Sequence, residues 1–435
     1  MFQQFQAIVR NTFVESIRQP IFLVMIGVGL IALVLNLNLS AFTLDDDNKF
    51  LLDMGLATIF LCGLLIAAFV ATSVLTREIA NRTVLTVVSK PVGRPLFIIG
   101  KYVGVSTAIF VATTILSCAF LLTLRHSVMQ TARDEIDLPV VLYGVGALVL
   151  SVGIGMWCNY FYGWVFTSTT VGALFPLSIA AYVLVLFTSP EWQIQFFVVD
   201  FQFQVLLALF AMMLALLIMS AVAIAASTRL GQVMTIFVCI LVFVLGLMSN
   251  HVFGRQAYDA DVLAQITEVS TEYDPDGDFS DDDDTYNIRV NRSTRLDDGS
   301  PIIISADPLG LSPIWAGGGS GLFGRGGGGG GADTTVEVRD VEGLSATLVK
   351  VGDGEMARQP REEDYILAGP PTMSLQFRAL WAIPPNLQYL ILIDPLTQGH
   401  AIPFSYLGQI ILYSALYTLA VLALAVILFQ TREVG

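Results

Sequence analysis

The sequence predicts an all-α polytopic membrane protein with about eight transmembrane helices and a small β-rich extracytoplasmic insertion. Of its 435 residues, 55% are hydrophobic and 13% are charged, and the mean hydropathy is +0.71. Soluble domains carry roughly 25% charged residues. The charge is also uneven, because residues 251–400 hold 24 acidic and 10 basic side chains while the remainder holds 12 of each. The whole net charge of −14 therefore lies in one segment.

Residues 1–19 are predicted to form an amphipathic helix that lies in the membrane interface. Apolar side chains recur there every three to four residues, which is the period of a helix with one apolar face. They are Phe2, Phe5, Val9, Phe13 and Ile17. The alternative is a frayed start of the first span, but Pro20 would kink such a continuous helix.

Eight apolar runs are long enough to cross a bilayer, for which about 20 residues are needed. Their predicted extents are 21–43, 52–75, 97–124, 140–159, 166–188, 204–226, 231–250 and 403–429. The fourth and fifth share one uncharged stretch that is too long for a single helix, so a hairpin is expected there. Spans one to seven thus occupy residues 20–250, and residues 401–435 hold the last span and a tail.

Basic residues in the short loops set the expected orientation, because cationic side chains resist translocation. Nine bases fall on the side of the N-terminus: Arg10, Arg18, Arg77, Arg82, Lys90, Arg94, Lys101, Arg229 and Arg432. The short loops of the other side contain Lys49, Arg125 and Arg133. We therefore expect both termini in the cytoplasm and residues 251–400 outside. Arg18 and Lys101 are expected to anchor the chain at the membrane interface.

The insertion at residues 251–400 is predicted to be a small, loosely built β-rich module. Alternating stretches typical of strands run from Tyr286 to Val290, Pro301 to Ser305, Thr335 to Arg339 and Leu344 to Val351. A Gly-rich loop at residues 317–331 interrupts them. The nearby acidic run lacks the glycine that a calcium loop requires, so no metal site is expected. All four cysteines lie in apolar runs, which excludes a disulfide framework.

The loop at residues 76–96, between the second and third spans, carries four of the nine inside bases and a two-proline turn, and a fifth base, Lys101, follows shortly after it. We interpret it as a short helix along the membrane face that docks on a soluble partner. The alternative is a basic loop that only fixes the orientation of the chain.

Several short motifs, in their order along the chain, resemble the permease subunits of type-2 ATP-binding-cassette exporters, especially the branch of copper-enzyme maturation and gliding-motility permeases. The motifs are Asn11-Thr12-Phe13, Arg18-Gln19-Pro20, Glu78 with Arg82-Thr83, Lys90-Pro91 with Arg94, Gly100-Lys101, Ser227-Thr228-Arg229-Leu230, Ile383-Pro384-Pro385-Asn386 with Asp394, and Phe429 with Arg432-Glu433. No single motif is specific, but their order is, and they cover both ends and the middle of the chain.

The resemblance implies a permease in the bacterial inner membrane that works as a homodimer with a separate ATPase subunit. It also implies that the loop at 76–96 is a coupling helix seated in a groove of the ATPase. The implied coupling residues are Glu78, Arg82, Thr83, Lys90, Pro91 and Arg94. The chain departs from the family in two ways: the family usually has six spans, without a hairpin at 140–188, and a large outer insertion is not a standard feature.

The chain lacks a P-loop, which cradles phosphates with the pattern G-x-x-x-x-G-K-[ST]. Gly100-Lys101 is followed by Tyr102, and Pro95 stands where the first glycine belongs. ATP and Mg²⁺ are therefore expected on the partner ATPase, with no cofactor and no catalytic group in this chain. The alternatives are an ion-coupled secondary transporter and a membrane-embedded scaffold that presents the external module. The first normally needs ionisable groups at mid-membrane. No basic cluster indicates nucleic acid.

Overall fold

The computed structural model describes residues 2–39, 47–80, 93–128, 136–259, 261–270, 285–292, 296–305, 335–351, 360–368, 372–393, 396, 402 and 404–430. The chain forms two compact units. The first comprises Met1–Leu247 and Pro385–Gly435, and the second comprises Met248–Pro384. Among the described residues, eight helices are long and apolar enough to cross a membrane, as the sequence predicts.

The helices of the first unit follow the predicted spans closely. They are α1 (Phe2–Ile17), α2 (Pro20–Leu39), α3 (Asp47–Ala80), α4 (Arg94–His126), α5 (Leu138–Tyr162), α6 (Phe166–Leu186), α7 (Phe203–Ser227), α8 (Gln232–Ser249) and α9 (Phe404–Gln430). Helices α2 to α9 are the eight candidate spans. A π-helical turn, Asn250–Gly254, continues α8.

A short non-helical turn at Arg18 and Gln19 separates α1 from the first span. α1 ends at Ile17, and α2 begins at Pro20. Proline suits the first position of a helix, where its missing N–H removes no intrahelical hydrogen bond. α1 is therefore a helix of its own and not the start of α2.

Helices α3, α4 and α7 form the centre of the helical unit, because more than half of each spanning region is buried. Leu56, Ile109 and Leu216 are fully enclosed examples from these three helices. Less than a third of each spanning region of α2, α5, α8 and α9 is buried although their sequences are apolar. Continuous apolar exposure on this scale is unusual for a soluble monomer and is expected for helices that face lipid.

The predicted hairpin is formed by α5 and α6. Gly163 ends α5 with a left-handed φ of 65°, and its N–H donates to the carbonyls of Asn159 and Cys158. Glycine is the usual residue at this helix-ending position. The two helices pack closely, since a Cβ atom at Gly155 would collide with the side chain of Thr170.

The second unit contains a closed six-stranded antiparallel barrel and a separate two-stranded ribbon. The barrel strands are β2 (Val262–Ser270), β3 (Thr285–Val290), β4 (Pro301–Ser305), β5 (Thr335–Glu342), β6 (Ser345–Val351) and β7 (Tyr365–Leu367), and the ribbon joins β1 (Tyr258–Asp259) to β8 (Thr372–Met373). Around the barrel the order is β2-β3-β6-β5-β4-β7, and β7 closes it by pairing with β2. Its core includes Ile266, Ile288 and Leu348.

The structure differs from the sequence expectation for the insertion in two respects. The module is a closed barrel with its own apolar core rather than a loosely built sheet, because β2 and β7, which were not predicted, complete the ring. The predicted segment 251–400 also includes residues that pack with the helices, since the Asn386 N–H donates to the Tyr413 hydroxyl at 2.7 Å. The Gly-rich loop at 317–331 lies outside the described residues.

Candidate functional site

The predicted coupling segment lies between the end of α3 and the start of α4. Glu78 belongs to the last turns of α3, which runs beyond the predicted end of the span at residue 75. Arg82, Thr83, Lys90 and Pro91 lie outside the described residues.

The start of α4 is held against the end of α9. Arg94 is the first residue of α4, and its Nη1 donates to the carbonyl of Gln430 at 2.7 Å. One turn further on, the ring of Phe97 stacks on that of Phe429 with centroids 5.8 Å apart. The first turn of α4, which follows the coupling segment, is therefore held in place by contacts with the end of α9.

α1 lies against α4 with almost no space between the two backbones. A Cβ atom at Gly100 would lie 2.8 Å from Cγ2 of Ile8. At Gly104 it would lie 2.6 Å from Cβ of Thr12 and 2.8 Å from the carbonyl oxygen of Val9. Glycines four residues apart allow this approach, as they do between packed membrane helices.

Lys101 is buried beneath α1 and connects it to α4. Its side chain is 3% exposed, and Nζ lies 3.7 Å from Oε2 of Glu15 and 5.6 Å from the ring centroid of Phe97. A buried ammonium group needs such partners, because desolvation of an isolated charge is costly. The role of Lys101 and Arg18 as interface anchors stays a prediction.

The junction between α1 and α2 contacts two further helices at the same end of the unit. The Ser73 hydroxyl of α3 donates to Oε1 of Gln19 at 2.7 Å, and the Thr167 hydroxyl of α6 donates to the carbonyl of Arg18 at 3.0 Å. We call the surface formed by α1, its junction and the adjoining ends of α3, α4 and α6 the α1 face. It brings Arg18, Lys101 and both ends of the coupling segment to one end of the helical unit.

At the opposite end, Arg125 is the centre of a cluster of charged groups. Its Nε lies 3.3 Å from Oδ2 of Asp137 and 3.4 Å from Oδ2 of Asp200. Its Nη1 and Nη2 donate to the carbonyls of Val185 and Thr188 at the end of α6. The Arg125 and Asp137 side chains are 9% and 7% exposed, whereas that of Asp200 is 28% exposed.

The Arg125 cluster connects α4, α5, the end of α6 and the α6–α7 loop through ion pairs and hydrogen bonds. Arg125 belongs to α4, while Asp137 also accepts a hydrogen bond from the Val140 N–H at 3.2 Å and so caps α5. Asp200 lies in the α6–α7 loop and accepts from the Gln195 amide. Sequence reasoning missed this cluster because its members are far apart in the chain. The local signal was Asp137 before Leu138-Pro139, which is typical of a helix start.

Two cavities adjoin the central helices. A lateral cavity of 320 Å³ lies between α2, α4, α5 and α6, with Val34, Val145 and Leu148 exposed at its mouth. A central cavity of 260 Å³ lies between α3, α4, α6 and α7. Apolar side chains form most of both linings, and each cavity also has hydroxyl-bearing residues, Thr123 and Ser178 in the lateral one and Thr113 and Ser117 in the central one.

The described residues thus form a helical unit with eight helices that are long and apolar enough to cross a membrane, with cavities beside the central helices and charged contacts at both ends. No protein-family model, curated protein or solved structure matches the chain. Within the described part of the chain, no group of three or more His, Cys, Asp and Glu side chains could hold a metal ion.

Proposed function

We propose that the chain is the permease subunit of an ATP-binding-cassette exporter, works as a homodimer in a bacterial inner membrane and couples to a separate ATPase subunit. One observation carries this proposal: the segment at residues 76–96 joins α3 to α4, which are two of the three central helices. A partner that displaces this segment therefore acts on the centre of the helical unit and not on a peripheral helix.

The α1 face makes such a displacement mechanically effective. Because α1 is packed on Gly100 and Gly104 and paired with Lys101, the first turns of α4 and α1 move together. The Gln19 and Arg18 contacts extend this connection to α3 and α6. Packed elements with fixed contacts transmit motion as rigid bodies. In this proposal the ATPase binds ATP and Mg²⁺, and the α1 face passes its movement to the spans.

The central cavity is the proposed part of the translocation path. Its walls come from α3 and α4, which the coupling segment connects, and from α6 and α7. Movement of α3 against α4 changes its shape directly. Thr113 and Ser117 are among the few hydroxyl-bearing residues in a largely apolar lining, a common composition of ligand cavities.

Charge reversal in the coupling segment tests the proposal. Glu78→Lys and Arg82→Glu should each weaken co-purification of the ATPase or abolish substrate-stimulated ATP hydrolysis, because a charged pair at a partly desolvated interface is lost. A buried pair would cost roughly 2–5 kcal/mol. Arg229→Glu is the matched control, since Arg229 is exposed in the α7–α8 turn and outside the segment. Wild-type binding and turnover in both variants would reject the coupling role.

Labelling from one side of the membrane tests the orientation independently. A cysteine at Asp282 should react with an impermeant maleimide added outside intact cells, and a cysteine at Ser89 should react only after the cells are opened. The reverse pattern would place the α1 face outside and would exclude contact with a cytoplasmic ATPase.

An ion-coupled secondary transporter is the second candidate, and the Arg125 cluster is the observation that favours it. Ionisable groups buried among membrane spans often serve ion coupling. The cluster lies at the helix ends, however, and Arg125 already contacts two carboxylates and two carbonyls. Transport into proteoliposomes driven by an ion gradient without any ATPase would establish this function in place of the exporter.

A further inference from the structure

The loop between α6 and α7, residues 187–202, exposes large apolar side chains while two of its polar side chains are turned inward. Ile194, Phe196 and Val199 are 94%, 84% and 71% exposed. The side chains of Gln195 and Asp200 are turned inward, where Asp200 pairs with Arg125 and Gln195 donates to Asp200. A loop in water normally exposes its polar groups and buries its large apolar ones.

This exposure belongs to an ordered loop. The Ser189 N–H donates to the Gln193 carbonyl at 2.8 Å, and the Gln195 N–H donates to the Phe187 carbonyl at 3.0 Å. These bonds close a tight turn in which Trp192 has a positive φ of 63°. With the pairing of Asp200 to Arg125, the loop is fixed at both ends. The backbone therefore holds the apolar side chains outward.

The position of the loop along α6 corresponds to a membrane interface. α6 has 21 residues and so spans about 32 Å at 1.5 Å per residue, close to the roughly 30 Å of a bilayer core. Exposed aromatic residues stand just before it, at Tyr162 and Trp164, and just after it, at Phe187 and Phe197. Aromatic belts at both interfaces are typical of membrane proteins.

We propose that the α6–α7 loop is a membrane-binding element that inserts Ile194, Phe196 and Val199 into the leaflet on the Arg125 side. The occupant of this surface is lipid because the loop continues directly from two candidate spans, α6 and α7. The loop contains no lysine or arginine. Its binding is therefore apolar insertion rather than attraction to anionic headgroups, in contrast to basic interfacial segments. The inference does not depend on the exporter proposal.

Site-specific fluorescence tests this inference in the full chain. Single cysteines at Phe196 and at Gln193 are labelled with an environment-sensitive nitrobenzoxadiazole probe, and the unsubstituted protein provides the background from the four native cysteines. Gln193 is the matched control because it is exposed in the same turn. Both proteins are reconstituted in phosphatidylcholine vesicles with and without lipids that carry a nitroxide near the top of the acyl chain.

The probe at position 196 should emit at shorter wavelength than that at 193, be quenched by the nitroxide lipids and resist aqueous iodide. The probe at 193 should be quenched by iodide. Salt should not change either result, since no charge attraction is involved. Iodide quenching at 196 equal to that at 193 would overturn the inference. Protection of 196 from both quenchers would also overturn it, by showing that protein covers the loop, and cross-linking between cysteines at 196 would identify a second copy.

Discussion

Replacement of Arg125 should destabilise the helical unit more than any other single change in its cluster. Arg125→Leu removes the cation and leaves the carboxylate of Asp137 buried without its partner. Breaking a buried ion pair in this way costs about 3–5 kcal/mol, a factor of about 10² to 10⁴ in the unfolding equilibrium. Asp200→Asn should cost only about 1 kcal/mol, because Asp200 is partly exposed and Asp137 still neutralises the arginine.

The double variant Arg125→Leu with Asp137→Asn distinguishes charge from packing. Asparagine still caps α5, and with both charges removed the only carboxylate of the cluster left without the arginine is that of Asp200, which is partly exposed to solvent. The double variant should therefore be more stable than Arg125→Leu alone. Unfolding is followed by circular dichroism as sodium dodecyl sulfate is added to the protein in maltoside micelles. The reasoning is refuted if Arg125→Leu costs less than about 0.5 kcal/mol, the usual range of surface substitutions, or if the two changes simply add.

Three further predictions concern glycine positions and the Gly-rich loop. Gly104→Ala should cost about 1–3 kcal/mol in the same unfolding assay, because its methyl group meets the α1 backbone, whereas Gly146→Ala meets nothing and should cost nothing. Gly144→Leu should fill part of the lateral cavity and reduce photolabelling of α5 by a diazirine fatty acid, with Gly146→Leu on the exposed side of α5 as the unchanged control. Deletion of residues 317–331 should leave the barrel folded by circular dichroism of the purified chain, since β4 and β5 pair directly on either side of the loop and a roughly twofold shorter loop changes the closure free energy by only about 0.6 kcal/mol. The first prediction is contradicted if both alanine variants lose the same stability. The second is contradicted if both leucine variants are labelled equally, and the third if the barrel of the deletion variant is unfolded.

The spans and their boundaries could be predicted because hydropathy and proline are local signals. Pro20 separates α1 from α2 in the sequence as in the structure, and Gly163 lies in the turn expected between Asn159 and Thr167. Four barrel strands followed from residue alternation. β2 was not predicted because Gln265 and Glu268 interrupt its apolar pattern. β7 has three residues, which is too short for a pattern of alternating residues.

The contacts of the candidate site were harder to predict because they join distant parts of the chain. Arg125 and Asp200 each looked like an ordinary charge at the edge of an apolar run, and only the packing of α6 brings them together. Lys101 was predicted as an interface anchor from its place at the edge of an apolar run, and that place did not indicate that α1 covers it. The coupling residues between Arg82 and Pro91 were predicted from charge and family resemblance, and the geometry describes the helices that flank them.

Because its first and last strands pair with each other, the barrel can close only after β7 has been synthesised. Val262 of β2 pairs with Leu367 of β7, about a hundred residues later in the chain. A ribosome adds roughly 5–20 residues per second, so β2 waits about 5–20 s for its partner. During that interval its edge is open, and such long-range pairing is intrinsically slow to form. The barrel is thus completed only shortly before the residues of α9 are synthesised, and chaperones that shield strand edges would act within this window.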